Sequence, residues 1–243
     1  HCGTFNNVTK EAFSWINGEK APSFFISGPV DSHVNDANFT IGIGSDLISY
    51  DIEGDIDEVA VWNRVLSQDD ITQIYQESKQ RHHYVVHDWD DSLVGWWTLE
   101  DIGDSSGNGY DCTLEGDAFI YDEGYYGRSL RLDGDDDECD LPDYGLNSFE
   151  ELTVSAWVKL QSTAVQHIWR DGSATLRTDA FADKFQFVVN GEWGSGLSSS
   201  MTYTTNRWYH VVATFNGTHK AIYVDGENGG TQEHLTGISS SNQ

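Results

Sequence analysis

Three observations predict an all-β fold of antiparallel strands with one short helix. Strand-length runs alternate apolar and polar residues with a period of two, turns are written in Gly, Asn and Asp, and one segment carries the i, i+3, i+4 spacing of an amphipathic helix. Gly occurs 24 times and Pro only 3 times, so the turns rest on residues for which left-handed backbone is cheap.

The helix comes first. In RVLSQDDITQIYQESK, Ser67 is a good N-cap, Asp70 stands at the third helical position, and Ile71, Ile74 and Tyr75 form the apolar stripe. Leu66 before the cap can staple onto Ile71, which makes a helix of two to three turns docked by one face. In LTVSAWVKL, Val154, Ala156 and Val158 alternate with Ser155, Trp157 and Lys159, the pattern of a half-buried strand. FQFVVNGEW is a further strand running into a turn at Asn190 and Gly191. WYHVVATF and AIYVDG form a strand pair in which Ile222 and Val224 share a face, and Asp225 with Gly226 closes a hairpin.

The opening HCGTFNNVTKEAFSWINGE aligns with the late HVVATFNGTHKAIYVDGE. Thr4 and Phe5 match Thr214 and Phe215, while Gly18 and Glu19 match Gly226 and Glu227, an offset drifting from 210 to 208 residues. That is a domain-sized period. The expected organisation is the C-terminal part of one domain in 1–79, a seam at 80–91, and the N-terminal part of the next in 92–243. The chain opens on His1 and Cys2 without Met, a basic segment or an apolar segment, and is expected to be a fragment of a longer protein.

Charge narrows the partners. With 13 Lys and Arg against 40 Asp and Glu, the net charge of −27 sets the chain against nucleic acid and anionic membrane surfaces. No apolar run is long enough to insert in a bilayer.

GDIDEVAVWNRVLSQDDITQIYQ, Gly54 to Gln76, resembles the closing segment of laminin-G-like jelly-roll domains of the concanavalin A-like superfamily. LVGWWTLE, DSSGNGYDCTLEG, GRSLRLDGDDDECDLP and FEELTVSAWVKL resemble the opening of the same domains, and RWYHVVATFNGTHKAIYVDGE their middle. Tail precedes head, so either residues 1–79 complete the second domain as a permuted jelly roll or the missing strands lie outside the fragment; a window on a tandem array is favoured. The resemblance implies an antiparallel β-sandwich, with Trp62, Trp96, Trp157 and Trp208 at core positions. It also implies a disulfide between Cys112 and Cys139 on neighbouring strands, leaving Cys2 over; buried thiols are the alternative.

Glu53, Asp55 and Glu58 spell an ExDxxE string similar to that of laminarinase-like glycoside hydrolases, whose retaining chemistry needs two facing carboxyls. Gly54 is expected to interrupt this strand and no aromatic run surrounds the acids, so no catalytic residue is assigned. Calcium is the expected cofactor. Asp104, Asn108 and Asp111 in one loop, and Asp133, Asp135, Asp136 and Asp137 in another, offer hard oxygen ligands, and relatives hold calcium; solvated turn acids are the alternative. His82, His83 and His87 read as linker histidines. Trp193 and Tyr203 are candidates for stacking on a sugar. Sequons at Asn7, Asn38 and Asn216 agree with a secreted setting.

The resulting expectation is a non-catalytic extracellular or cell-surface repeat module. It would serve adhesion, carbohydrate or protein recognition, or a surface filament, with neighbouring copies, glycans or surface proteins as partners. The alternative is a glycoside hydrolase of the laminarinase-like type or a lectin module attached to one.

Overall fold

In the computed structural model the alternating segments become strands. The structure describes residues 2–6, 11–16, 19–20, 24–25, 39–43, 51–80, 92–142, 150–171, 173–179, 181–189 and 196–234. They fall into two units, His1–His33 and Val34–Gln243.

The first unit holds β1 (Cys2–Asn6), β2 (Glu11–Ile16), β3 (Glu19–Lys20) and β4 (Phe24–Phe25) in one antiparallel sheet. The second begins with β5 (Phe39–Ile41), β6 (Glu53–Trp62), α1 (Gln68–Gln80), β7 (Leu93–Trp97), β8 (Thr113–Glu115), β9 (Phe119–Tyr121), β10 (Ser129–Asp133) and β11 (Glu138–Leu141). It continues with β12 (Leu152–Leu160), β13 (His167–Arg170), β14 (Ala174–Thr178), β15 (Lys184–Val189), β16 (Leu197–Thr202), β17 (Trp208–Phe215), β18 (His219–Val224) and β19 (Glu227–Glu233). These strands form a sandwich. One sheet runs β19-β18-β17-β12-β6-β10-β9 with β7 also on β6, and the other runs β16-β15-β14-β13-β5-β11-β8.

Parity divides the first of these sheets into two faces. Ile56, Val59, Val61, Val154, Val158, Val211 and Ile222 point inward and meet Ile41, Trp169, Leu176 and Phe187 of the facing sheet in the main core. Trp62, Val212, Ala221 and Tyr223 point outward and pack beneath Leu66, Ile71 and Ile74 of the α1 region. Because α1 covers part of the outer face, β12 is buried on both faces along most of its length, where its alternation predicted one.

The cap of α1 is reciprocal, as its sequence suggested. Asp70 N–H donates to Ser67 Oγ at 3.1 Å, and Ser67 N–H donates to Asp70 Oδ2 at 2.9 Å. The helix runs 13 residues, a turn longer than its apolar stripe required. The Asp225–Gly226 turn has both residues at positive φ, 52° and 80°, as a two-residue hairpin turn needs.

The first unit has the register of β17–β19. Thr4 faces Phe13 as Thr214 faces Ala221, and Trp15 faces Lys20 as Tyr223 faces Asn228. These pairs preserve the 210 and 208 offsets of the alignment.

Candidate functional site

β6 runs unbroken through Gly54, against the expectation of an interruption. Glycine is needed there for packing: a Cβ on Gly54 would lie 2.3 Å from the carbonyl oxygen of Lys159 on β12. The irregularity comes later, as a bulge opposite Ser155 and Trp157, where Glu58 takes φ of 50°. The extra residue turns Glu58 toward the outer face that also carries Asp55 and Asp57. Aromatic residues do surround it: Trp96 Nε1 donates to Glu58 Oε2 at 3.0 Å, and Trp157 lines the same small cavity.

A lateral row crosses five strands on this face. Trp208 on β17 is in register with Lys159 on β12, Lys159 with Asp55 on β6, Asp55 with Arg131 on β10, and Arg131 with Phe119 on β9. Asp55 is fully buried and binds Arg131 Nε at 2.5 Å and Lys159 Nζ at 2.9 Å. Each cation also touches a ring: Lys159 Nζ lies 5.1 Å from the Trp208 centroid, and Arg131 Cζ lies 4.5 Å from that of Tyr121. Trp208 is half-buried rather than a core residue, because it shares parity with outward-facing His210 and Val212. Phe119 is 50% exposed at the far end of the row.

The segment 122–128 crosses the neighbouring row. Tyr125 stacks on Trp157 with centroids 3.5 Å apart and planes 10° from parallel, and Tyr126 N–H donates to Asp57 Oδ2 at 2.9 Å. Arg128 holds the same segment through Nε to Asp122 Oδ1 at 3.0 Å and Nη1 to the Glu100 carbonyl at 3.0 Å. Trp157 also borders a cavity of about 10 Å³ that is lined by Glu58, Ile74, Trp96, Ser155 and His210. Such a volume has room for one water. Ser155 Oγ and His210 Nε2 are 2.8 Å apart. Burial pushes the His210 pKa down to about 3, so the ring is neutral at pH 7. Burial, with the Glu100 charge adding to it, pushes Glu58 up to about 7, although the Trp96 hydrogen bond opposes the shift. Asp57 is raised for the same reason, with Glu58 the nearest like charge.

The other sequence candidates scatter. Asp104 accepts four hydrogen bonds: Oδ1 from the N–H of Trp96 and Ser106, Oδ2 from the Ser106 hydroxyl and the Tyr110 N–H. Asn108 Nδ2 donates to the Leu93 and Val94 carbonyls, and Asp111 Oδ1 accepts from the Asp104 N–H. This loop is braced by its own donors, which fix the directions of the Asp104 and Asp111 carboxylates. In the second loop Asp133 accepts from the Asp135 N–H, Asp137 from the Asp133 N–H, and the Asp136 N–H donates to Asp51. Among the described residues no group of three or more His, Cys, Asp or Glu side chains is placed to hold a metal ion.

Tyr203 is 3% exposed and packs in the core with its ring 5.2 Å from that of Phe185, so it is not positioned to stack on a ligand. Cys112 and Cys139 form a disulfide. Asn216 is exposed in the β17–β18 turn, its Oδ1 accepting from the N–H of Thr218 and His219. Trp193, Asn7, Asn38, Asn190, Gly191, His82, His83, His87 and the Cys2 side chain lie outside the described residues.

Sequence reading missed the Arg131–Asp55–Lys159 triad. Parity within β12 marks Lys159 as outward-facing, but nothing local to any strand brings the three into one row.

A family model of the laminin-G type, described as the concanavalin A-like lectin/glucanases superfamily, matches residues 1–72 and 133–243. No curated protein and no solved structure matches the chain.

Proposed function

Starting from the fact that the chain belongs to the laminin-G type of the concanavalin A-like lectin/glucanases superfamily, we propose that it is a non-catalytic extracellular recognition module. In this reading the outer face of the eight-stranded sheet contacts a glycan. The row Trp208–Lys159–Asp55–Arg131–Phe119 carries the proposal. Its half-buried aromatic rings offer apolar faces to a sugar, and its ion triad fixes the donors between them. Asp55, the middle acid of the ExDxxE string, is engaged by two cations, which supports the non-catalytic reading over one in which it assists a neighbouring nucleophile. The Cys112–Cys139 disulfide agrees with an oxidising, extracellular setting, and a tandem array on a cell surface is the context proposed for the module.

Titration of the full chain with a panel of neutral oligosaccharides tests this reading. Trp208→Ala and Phe119→Ala are expected to weaken the best ligand several-fold each while leaving the melting temperature in place. A panel without any binder, or unchanged affinity in both variants, would sink it.

The Glu58 geometry favours a second reading, hydrolysis. A bulged, half-buried carboxyl raised to about 7 beside an indole is in the range of a general acid. β-Glucan turnover by the full chain, abolished by Glu53→Gln and by Glu58→Gln, would select it over the first.

A further inference from the structure

The sandwich is closed by strands that precede it in the chain. β6 pairs with β12 along one edge, from Thr153 to Leu160, and with β10 and β7 along the other. β5 sits likewise between β11 and β13 in the second sheet. All of these partners follow residue 91. The meander β1–β3, which precedes this closing segment, has the same register as β17–β19 of the sandwich being closed. A closing segment therefore stands between two like meanders.

We propose that β5, β6 and α1 together are an exchangeable donor whose partner is the same slot in a second copy of this chain. Copies interlock by trading it. The contacts are the same in either arrangement: Ile56, Val59 and Val61 complete the inner core, and Trp62, Ile71 and Ile74 the outer one. Slot energetics then do not distinguish a donor from the same chain from one supplied by another molecule. An unfilled slot would leave β12 with an open edge and the core without an interior strand, which favours an occupied slot.

The tether favours self-closure. Donor and slot belong to one chain, which holds the chain's own donor at an effective concentration of about millimolar. Exchange therefore grows with the local concentration of copies, and is greatest where copies stand side by side. This inference is independent of the ligand reading.

Ala60 on β6 and Ser155 on β12 are register partners and provide the test. In a Cys2→Ser background, full chains carrying Ala60→Cys are mixed with full chains carrying Ser155→Cys, unfolded and refolded together, then oxidised. The expected product is a covalent species of twice the monomer mass whose yield falls as refolding is made more dilute. A chain carrying both substitutions reports that the slot forms. An intramolecular bridge in that chain, with no intermolecular bridge in the mixture at any concentration, overturns the proposal. Unsubstituted full chain that refolds only to monomer by light scattering, at every attainable concentration, overturns it equally.

Discussion

Asp55→Ala should be among the most damaging single substitutions on the outer face. Asp55 is fully buried, while its partners Arg131 and Lys159 retain 25% and 19% side-chain exposure. With the 2.9 Å Lys159 contact and an effective dielectric near 20, the gross attraction is about 6 kcal/mol for that pair alone. Desolvation of the carboxylate offsets much of it, yet truncation does not recover that cost. It leaves two like charges facing each other across the vacated position, and breaking a buried pair in this way costs about 3–5 kcal/mol. Urea unfolding followed by tryptophan emission, with the slope unchanged and the midpoint shifted, is the assay. The triple variant Asp55→Leu, Arg131→Met, Lys159→Met should recover most of the loss, because it removes the charges together. A loss under about 1 kcal/mol for Asp55→Ala would refute the buried-triad account.

Three further outcomes follow from the same geometry. Glu58 is raised from its ordinary 4.5 to about 7, so the folded state holds its proton longer than the unfolded chain and the associated stability is lost as pH rises from 4.5 to 7. Glu58→Gln should remove that decline and add about 2–3 kcal/mol relative to the parent at pH 8, measured as the difference of two unfolding midpoints across pH; a pH-independent difference would contradict it. Reduction of the Cys112–Cys139 bridge, which closes a sequence separation of 27, should cost about 3–4 kcal/mol and lower the melting temperature without abolishing the strand signal in circular dichroism. EDTA tests the calcium expectation: with Asp104 braced by four hydrogen bonds, a fall in melting temperature is expected to trace to the acids of 133–137, and an unchanged melting temperature would count against structural calcium.

Local chemistry was legible before the structure, and lateral chemistry was not. The α1 cap and the Asp225–Gly226 turn are each written within a few consecutive residues, and the Cys112–Cys139 pairing followed from the family resemblance. The triad is different. Asp55 meets Arg131 and Lys159 only because three strands fix a common register, and no periodicity within one strand carries register between strands. Gly54 misled for a related reason. Glycine ordinarily weakens a strand, but here its missing side chain admits the β12 backbone. Trp208 and Tyr203 exchanged roles against expectation: the one half-exposed beside Lys159, the other buried against Phe185. Parity with His210 would have placed Trp208 outward, whereas no comparable signal marks Tyr203.

The place of β6 in the chain also sets a clock on synthesis. Trp62 leaves the ribosome before its register partner Thr153 has been made. At about 5–20 residues per second the wait is on the order of 5–20 s. Through that interval the apolar residues Ile56, Val59 and Val61 have no β12 against which to pair. β6, an interior strand of the sheet, is thus an early waiting strand, and chaperone demand during translation should fall on residues 53–62 rather than on the strands that complete the sandwich last.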